Sequence, residues 1–245
     1  MIKKIFVLLA IMVTAVYLAF AMTVLNAKPS ESQFGGIVVT VDNEGGYSLV
    51  TRADVEKLLK RKDMYPEGKL SDEINVRAIE DTLASHPFIK DVDCYMTPAG
   101  KLMIHLSERI PLIRVISVNG EDYYVGSEGE ILSSWSKPVH VAVATGYIDK
   151  AFAQSELYEL AKFISGDKFW EAQIEQVNVT AKKELELIPR VGNHVVFLGK
   201  PGDYNEKFAK LRTFYEKALN KVGWNKYDRI SIEFKNQIIC TKKDK

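Results

Sequence analysis

Hydrophobic period divides the chain into three stretches. From Ile5 to Leu25 (IFVLLAIMVTAVYLAFAMTVL) there is no polar period: 21 residues pass without a charge, a proline or a glycine. As a helix, a run of this length extends about 31 Å, close to the thickness of one bilayer core. It predicts a transmembrane helix over 5–25, behind a short N-terminus (1–4) and ahead of a polar linker over 26–33. The next stretch changes period repeatedly. Ile37 to Val41 is β-branched and bounded by Gly35-Gly36 and Gly45-Gly46, the mark of a strand. Thr51-Arg52-Ala53-Asp54 has the capping-box form ahead of Val55, Leu58 and Leu59, so a helix starts there. Val76, Ile79 and Leu83 recur at helical spacing, and that helix must stop before Pro87. Phe88 to Met96 and Leu102 to Leu106 read as strands around the turn Thr97-Pro98-Ala99-Gly100. The predicted order is strand, helix, helix, strand, strand.

Beyond residue 108 short strands dominate: Leu112–Val118, Tyr123–Val125, Glu130–Leu132, Val139–Ala144, Ile174–Thr180, Glu184–Pro189 and His194–Leu198. Leu185 and Leu187 alternate with Glu184 and Glu186, the period of a strand with one wet face. Two amphipathic helices interrupt them. Ser155–Ile164 gathers Leu157, Leu160, Ala161 and Ile164 on one face, and Tyr204–Val222 gathers Phe208, Leu211, Phe214, Ala218 and Val222. The last run, Arg229 to Cys240 (RISIEFKNQIIC), reads as one strand. Ile230, Ile232, Phe234, Ile238 and Cys240 share one parity; Ser231, Glu233, Lys235 and Gln237 share the other, with Ile239 on the polar side. Either a bulge at Asn236-Gln237 flips the register or the strand end has two apolar faces. Such a late strand, followed only by a short tail (241–245), reads either as an open edge to which another chain can add or as a well-covered central strand. The fold class expected is α+β: one transmembrane helix, a β-α-α-β-β domain over 34–107, then a mixed β-sheet domain with two flanking helices over 108–240.

Composition narrows the function classes. Thirty-three Lys and Arg face 32 Asp and Glu, a net charge of +1, so the whole chain carries no basic excess for nucleic acid. With 47% hydrophobic and 27% charged residues the chain is neither disordered nor a disulfide mini-protein. Lys3 and Lys4 precede the apolar run, while Lys28 and Glu31 nearly cancel after it. The charge bias therefore keeps the N-terminus in the cytoplasm and exports the rest. A cleaved signal peptide is the competing reading, because Ala19-Phe20-Ala21 fits a processing site. The apolar run continues past that site, however, and exceeds the usual h-region of about 7–15 residues. Cys94 and Cys240 lie in separate strand-like runs and read as two buried or half-buried thiols; a disulfide would have to join two domains.

Enzyme chemistry finds no footing. Neither HExxH nor GxSxG occurs, and His86, His105, His140 and His194 belong to four separate elements. Leu198-Gly199-Lys200-Pro201-Gly202 precedes a helix but lacks the phosphate-loop form, and Pro201 removes an amide such a loop needs. It reads as a strand-to-helix turn. Asn178-Val179-Thr180 is a glycosylation sequon inside a predicted strand, and Tyr123-Tyr124 and Phe169-Trp170 read as packing aromatics. No catalytic residue, metal site or cofactor is expected, and no small-molecule substrate.

In that frame the chain resembles the FtsQ/DivIB cell-division proteins, in their Bacteroidota-type branch. The resemblance covers nearly the whole sequence. It rests on His86-Pro87-Phe88-Ile89-Lys90-Asp91-Val92 in a POTRA-like domain, and on Glu108-Arg109-Ile110-Pro111 at the junction. It rests also on Tyr123-Tyr124-Val125-Gly126-Ser127-Glu128-Gly129-Glu130-Ile131-Leu132, where Gly126 stands in place of the pattern's usual Asp. Leu187-Ile188-Pro189-Arg190-Val191-Gly192-Asn193-His194 and Lys226-Tyr227-Asp228-Arg229-Ile230 carry the branch likeness. The resemblance implies a non-enzymatic scaffold of the divisome, single-pass in the inner membrane at the septum, with its folded domains in the periplasm. It implies FtsB- and FtsL-type single-pass partners, other divisome components, and a role in recruiting and regulating septal peptidoglycan synthesis. In the family the partner adds a strand at the C-terminal edge. By position this carries over to Ile230, Ile232, Phe234, Lys235, Asn236, Gln237, Ile238 and Ile239, with Phe234 at the place of a partner-contacting aromatic. The runner-up is a POTRA-type envelope chaperone that binds strands of outer-membrane proteins.

Overall fold

A computed structural model describes residues 2–25, 32–42, 48–134 and 139–243, with the side chains of the first segment described from 11 to 22. The Gly45-Gly46 boundary and most of the 26–33 linker lie outside the described residues. Helix α1, Ile2–Leu25, forms across the uncharged run. The expected span is nevertheless not found: among the described residues no helix is long and apolar enough to cross a membrane. Residues 11–22 account for only about 18 Å of helix, short of a bilayer core of roughly 30 Å.

The chain divides into two compact units, Met1–Asn43 with Val50–Ser107, and Glu44–Leu49 with Glu108–Lys245. The first holds a three-stranded sheet in the order β1-β3-β2: β1 is Ile37–Asp42, β2 Ile89–Met96 and β3 Leu102–Glu108. β1 runs parallel to β3, from Ile37 opposite Leu102 to Asp42 opposite Ser107. Helices α2 (Arg52–Arg61) and α3 (Val76–Ala84) form between β1 and β2. The capping box is present: the Thr51 amide donates to Asp54 Oδ2 at 2.9 Å. Asn75 caps α3, its Oδ1 accepting from the Ala78 amide at 3.0 Å. Val55, Leu59, Ile79 and Leu83 are buried, as are Ile37, Leu102, Ile104 and Leu106. Alternate residues of β3 are thus buried, with Ile37 of β1 opposite the first of them.

The second unit is a nine-stranded mixed sheet in the order β12-β11-β10-β9-β8-β7-β4-β5-β6. Its strands are β4 (Pro111–Ser117), β5 (Asp122–Gly126), β6 (Ile131–Ser133), β7 (Ala142–Gly146), β8 (Ile174–Val179), β9 (Leu185–Pro189), β10 (Val195–Gly199), β11 (Tyr227–Ser231) and β12 (Ile239–Lys242). One helical stretch runs from α4 (Lys150–Phe152) through a π-turn into α5 (Tyr158–Ser165), and a short α6 (Lys168–Gln173) follows. The other runs from α7 (Tyr204–Phe214) through a π-turn at Tyr215–Leu219 into α8 (Asn220–Val222). Leu157, Leu160, Ile164, Phe208, Leu211 and Leu219 from these helices form one core with Val115, Ala144, Val177, Leu187, Val196 and Ile230 from the strands.

Two expectations fail here for legible reasons. Helix α6 carries no periodic run, yet it seats Trp170 edge-on against Phe208 with ring centroids 4.8 Å apart. And the run from Arg229 to Cys240 is not one strand: β11 ends at Ser231, an exposed turn crosses Glu233 to Gln237, and β12 returns antiparallel. Ile230 pairs with Cys240 and Ser231 with Ile239, so the register places positions of equal parity opposite each other. A hairpin of that register reproduces the alternation of a continuous strand. The two thiols are both free, Cys94 buried and Cys240 half-buried. Burial pushes the Cys94 thiol up to about 12, with Glu80 and Asp93 adding to the effect.

Candidate partner-binding edge

The terminal hairpin closes one end of the nine-stranded sheet. β11 is an interior strand, parallel to β10 through Val195–Arg229, Val196–Ile230 and Phe197–Ser231, and antiparallel to β12. Of the two hairpin strands β12 is the edge; the opposite edge of the sheet is β6. The eight residues expected to form one binding strand are therefore sorted into different settings. Ile230 and Ile232 are fully buried in the helix-covered core. Phe234, Lys235, Asn236 and Gln237 lie in the exposed turn, Phe234 at 46% exposure despite its core parity. Ile238 is half-buried against the core, and Ile239 opens β12 at 47% exposure. Of the eight, Ile239 alone lies on the edge strand, which adds Cys240, Thr241 and Lys242.

Alternation along β12 determines which of its backbone groups are spare. The Lys243 amide donates to the Lys226 carbonyl at 3.2 Å, on the β11 side. Counting back by twos turns the backbone of Thr241 and Ile239 toward β11 and that of Cys240 and Lys242 toward the open edge. The side chains divide in the same way. Cys240, opposite Ile230, packs on the helix-covered core, and burial raises its thiol pKa. Ile239 and Thr241 project to the other face, beside Ser231 and Arg229. On that face Arg229 Nη1 donates to Glu186 Oε1 at 2.9 Å, across the Phe197 ring. Asn178 Nδ2 donates to Glu186 Oε2 at 2.9 Å, so the sequon asparagine is engaged within the sheet.

The remaining sequence candidates fall elsewhere. His194, at the head of β10, shares a 3.0 Å hydrogen bond between its Nε2 and the Tyr215 hydroxyl. His105 stacks on Tyr95 in the first unit, and the amide of Phe88 donates to His86 Nδ1 at 3.3 Å. The Lys200 carbonyl accepts from Lys207 Nζ at 2.8 Å, closing the strand-to-helix turn ahead of α7. Tyr123, Tyr124 and Trp170 are buried. Among the described residues no group of His, Cys, Asp or Glu is arranged to hold a metal.

The open edge, the layered second unit and the β-α-α-β-β unit before it match known domains in the same order. A family model described as FtsQ/DivIB, C-terminal related, covers residues 110–241, more than half of the chain, and a POTRA-like domain model covers 35–107. The chain belongs to the FtsQ/DivIB family. No curated protein matches it. The family is one of non-catalytic cell-division scaffolds and of division-site membrane proteins, which gives this FtsQ/DivIB chain a cell-division scaffold role through divisome protein interactions.

Sequence reasoning missed the groups that seat this edge. Lys210, on α7, donates through Nζ to the Phe234 carbonyl and, at 3.3 Å, to that of Lys235. Gly199 has φ +74, and a Cβ there would come within 2.9 Å of Glu233 Cγ. A helical lysine and a glycine after a strand carry no sequence signal for this job; only the tertiary placement of the turn reveals it.

Proposed function

We propose that this FtsQ/DivIB chain is an inner-membrane divisome scaffold whose β12 edge takes up a strand from an FtsB/FtsL-type partner at the septum. The observation that carries the reading is the open outer side of β12, with Cys240 and Lys242 turning backbone groups outward beside an exposed Ile239. An added strand takes affinity from main-chain pairing and specificity from side-chain contacts. The partner site thus narrows to Ile239–Lys242 with the neighbouring turn at Phe234, while Ile230 and Ile232 serve the core. Helix α1 acts as the membrane anchor, N-terminus inside, on the strength of the uncharged run and the lysines before it.

Proline at Lys242 removes an outward amide and leaves the β11 ladder intact. Lys242→Pro is expected to lower co-purification of the FtsB/FtsL-type pair from mild detergent at least about tenfold, with an unchanged melting temperature, as loss of a main-chain bond and its geometry allows. Capture at the wild-type level by folded Lys242→Pro would count against this edge. Recovery of a mixed set of outer-membrane strands instead of a defined pair would favour the chaperone role.

A further inference from the structure

The turn between β11 and β12 has few ties to the rest of the unit. The Ile232 amide donates to the Phe197 carbonyl at 2.9 Å and ends the β10 side of the ladder. Beyond it, among the described residues, the hydrogen bonds to the turn come from Lys210 Nζ, which reaches both the Phe234 and Lys235 carbonyls from α7. Glu233 meanwhile lies over Gly199, in space that only a glycine leaves. The strand that follows is four residues long, paired on one side, with a register irregularity between Tyr227 and Arg229. Short edge strands of this kind sit at the low-stability end of a fold.

We propose that Lys210 is a positioning residue for partner capture: its ammonium group clamps the two turn carbonyls, and the clamp keeps β12 presented as a pre-formed edge. The inference rests on the reading of β12 as the capture edge. Its chemistry is specific. An ammonium has three donors and can serve two carbonyls at once, while the stem of Lys210 lies half-buried along α7. The same clamp fixes the backbone of Phe234 and so holds that exposed ring in place, cutting the ordering cost of association. Without the clamp the seated hairpin becomes one state among several, and apparent affinity falls by the fraction of time it is seated. A loss of that kind slows association, because fewer molecules are competent at any moment. Loss of a direct contact would instead speed dissociation.

The test uses the full chain in lipid nanodiscs with the FtsB/FtsL-type pair as analyte, following association and dissociation separately. Lys210→Met keeps the stem and removes the donors. It is expected to slow association about tenfold, the drop for a seated fraction near one in ten, and to leave dissociation within about twofold. Lys210→Arg, which still offers several donors, restores association. If Lys210→Met fails to fold, Lys210→Leu, which likewise carries no donor, is read by the same criteria. Wild-type association by the Met or Leu variant overturns the inference, and so does faster dissociation with association unchanged, which would make Lys210 a contact residue. Lys242→Pro runs alongside. Normal capture by Lys242→Pro overturns the edge reading and the inference with it. Lost capture by Lys242→Pro beside normal association of Lys210→Met overturns the positioning role alone.

Discussion

The resemblance places Gly126 where an Asp would be expected, and its surroundings show what occupies that space. A Cβ on Gly126 would fall against the Glu130 carboxylate, 2.3 Å from Oε1 and 2.6 Å from Oε2. That carboxylate accepts from the Glu128 amide at 2.9 Å, the kind of bond an Asp at the head of such a turn makes. Glu130 thus lends its carboxylate to the space and the turn amide that a side chain at 126 would use. The β5–β6 turn is held further by Tyr158, whose hydroxyl donates to the Ser127 carbonyl at 3.0 Å, and by Gln154 Nε2, which donates to that of Gly129 at 3.1 Å. Gly126→Asp alone is therefore expected to destabilise the unit by about 1–3 kcal/mol through crowding and like charge. Glu130→Ala alone should cost about 1 kcal/mol for the lost turn bond. The double variant should recover most of the loss, giving a favourable coupling in a thermal-melt double-mutant cycle. Additive penalties would show that the two positions do not share one role.

The secondary structure was legible wherever one period held long enough to count. The Thr51 box, the stop before Pro87 and the alternation through Leu185 and Leu187 all stand at or within a residue or two of the observed boundaries. The terminal hairpin was not, because parity survives a turn that pairs residues of equal parity, and α6 was not, because six residues are too few to show a period. The candidate site was legible as a region at the C-terminus, while its division into core, turn and edge depended on register. His194 shows the same limit. Its sequence position marks a strand, but the fold buries it between Tyr215 and Trp224. Burial holds its imidazole below the ordinary 6.5, an effect the Trp224 backbone offsets only in part. The folded state therefore binds this proton less readily than the unfolded state. Stability contributed by the neutral ring is full above pH 6.5 and is lost as pH falls through the window below it. The melting temperature of the wild type should drop on acidification from pH 7 to pH 5 by more than that of His194→Gln. Asp122 and Asp149, whose carboxyls are held below 3.8 chiefly by hydrogen bonds from Arg114 and Lys183, keep their contribution throughout this range and lose it only as pH falls below 3.8. Equal slopes for the two proteins would remove His194 from the acid response.

The proposed function assigns anchoring and capture to different parts of this scaffold, and that separation can be measured. In α1 the described apolar side chains are exposed on every side: Ile11, Met12, Val13, Val16, Tyr17, Leu18 and Phe20 point around the full turn of the helix. A helix apolar all round has no wet face to keep, and water is a poor surround for it. The net charge of +1 leaves little whole-chain attraction to anionic lipid as a substitute. Deleting residues 1–25 should therefore release the chain from the membrane fraction into buffer without detergent. The β12 edge lies in the second unit, far along the chain, so the truncated protein should still bind the FtsB/FtsL-type pair in solution within about twofold of the full chain, as expected for units with separate cores. In cells the same deletion should abolish septal function, because a scaffold freed from the membrane loses the high local concentration that tethering supplies. N-terminal sequencing of the membrane-bound form belongs to the same experiment. A start at or near Met1 fits a retained anchor, whereas a start at Met22 would mean that processing after Ala21 releases the chain. A truncated protein that still sediments with membranes would place the anchor outside α1, and loss of capture in solution would show that the helix also shapes the edge.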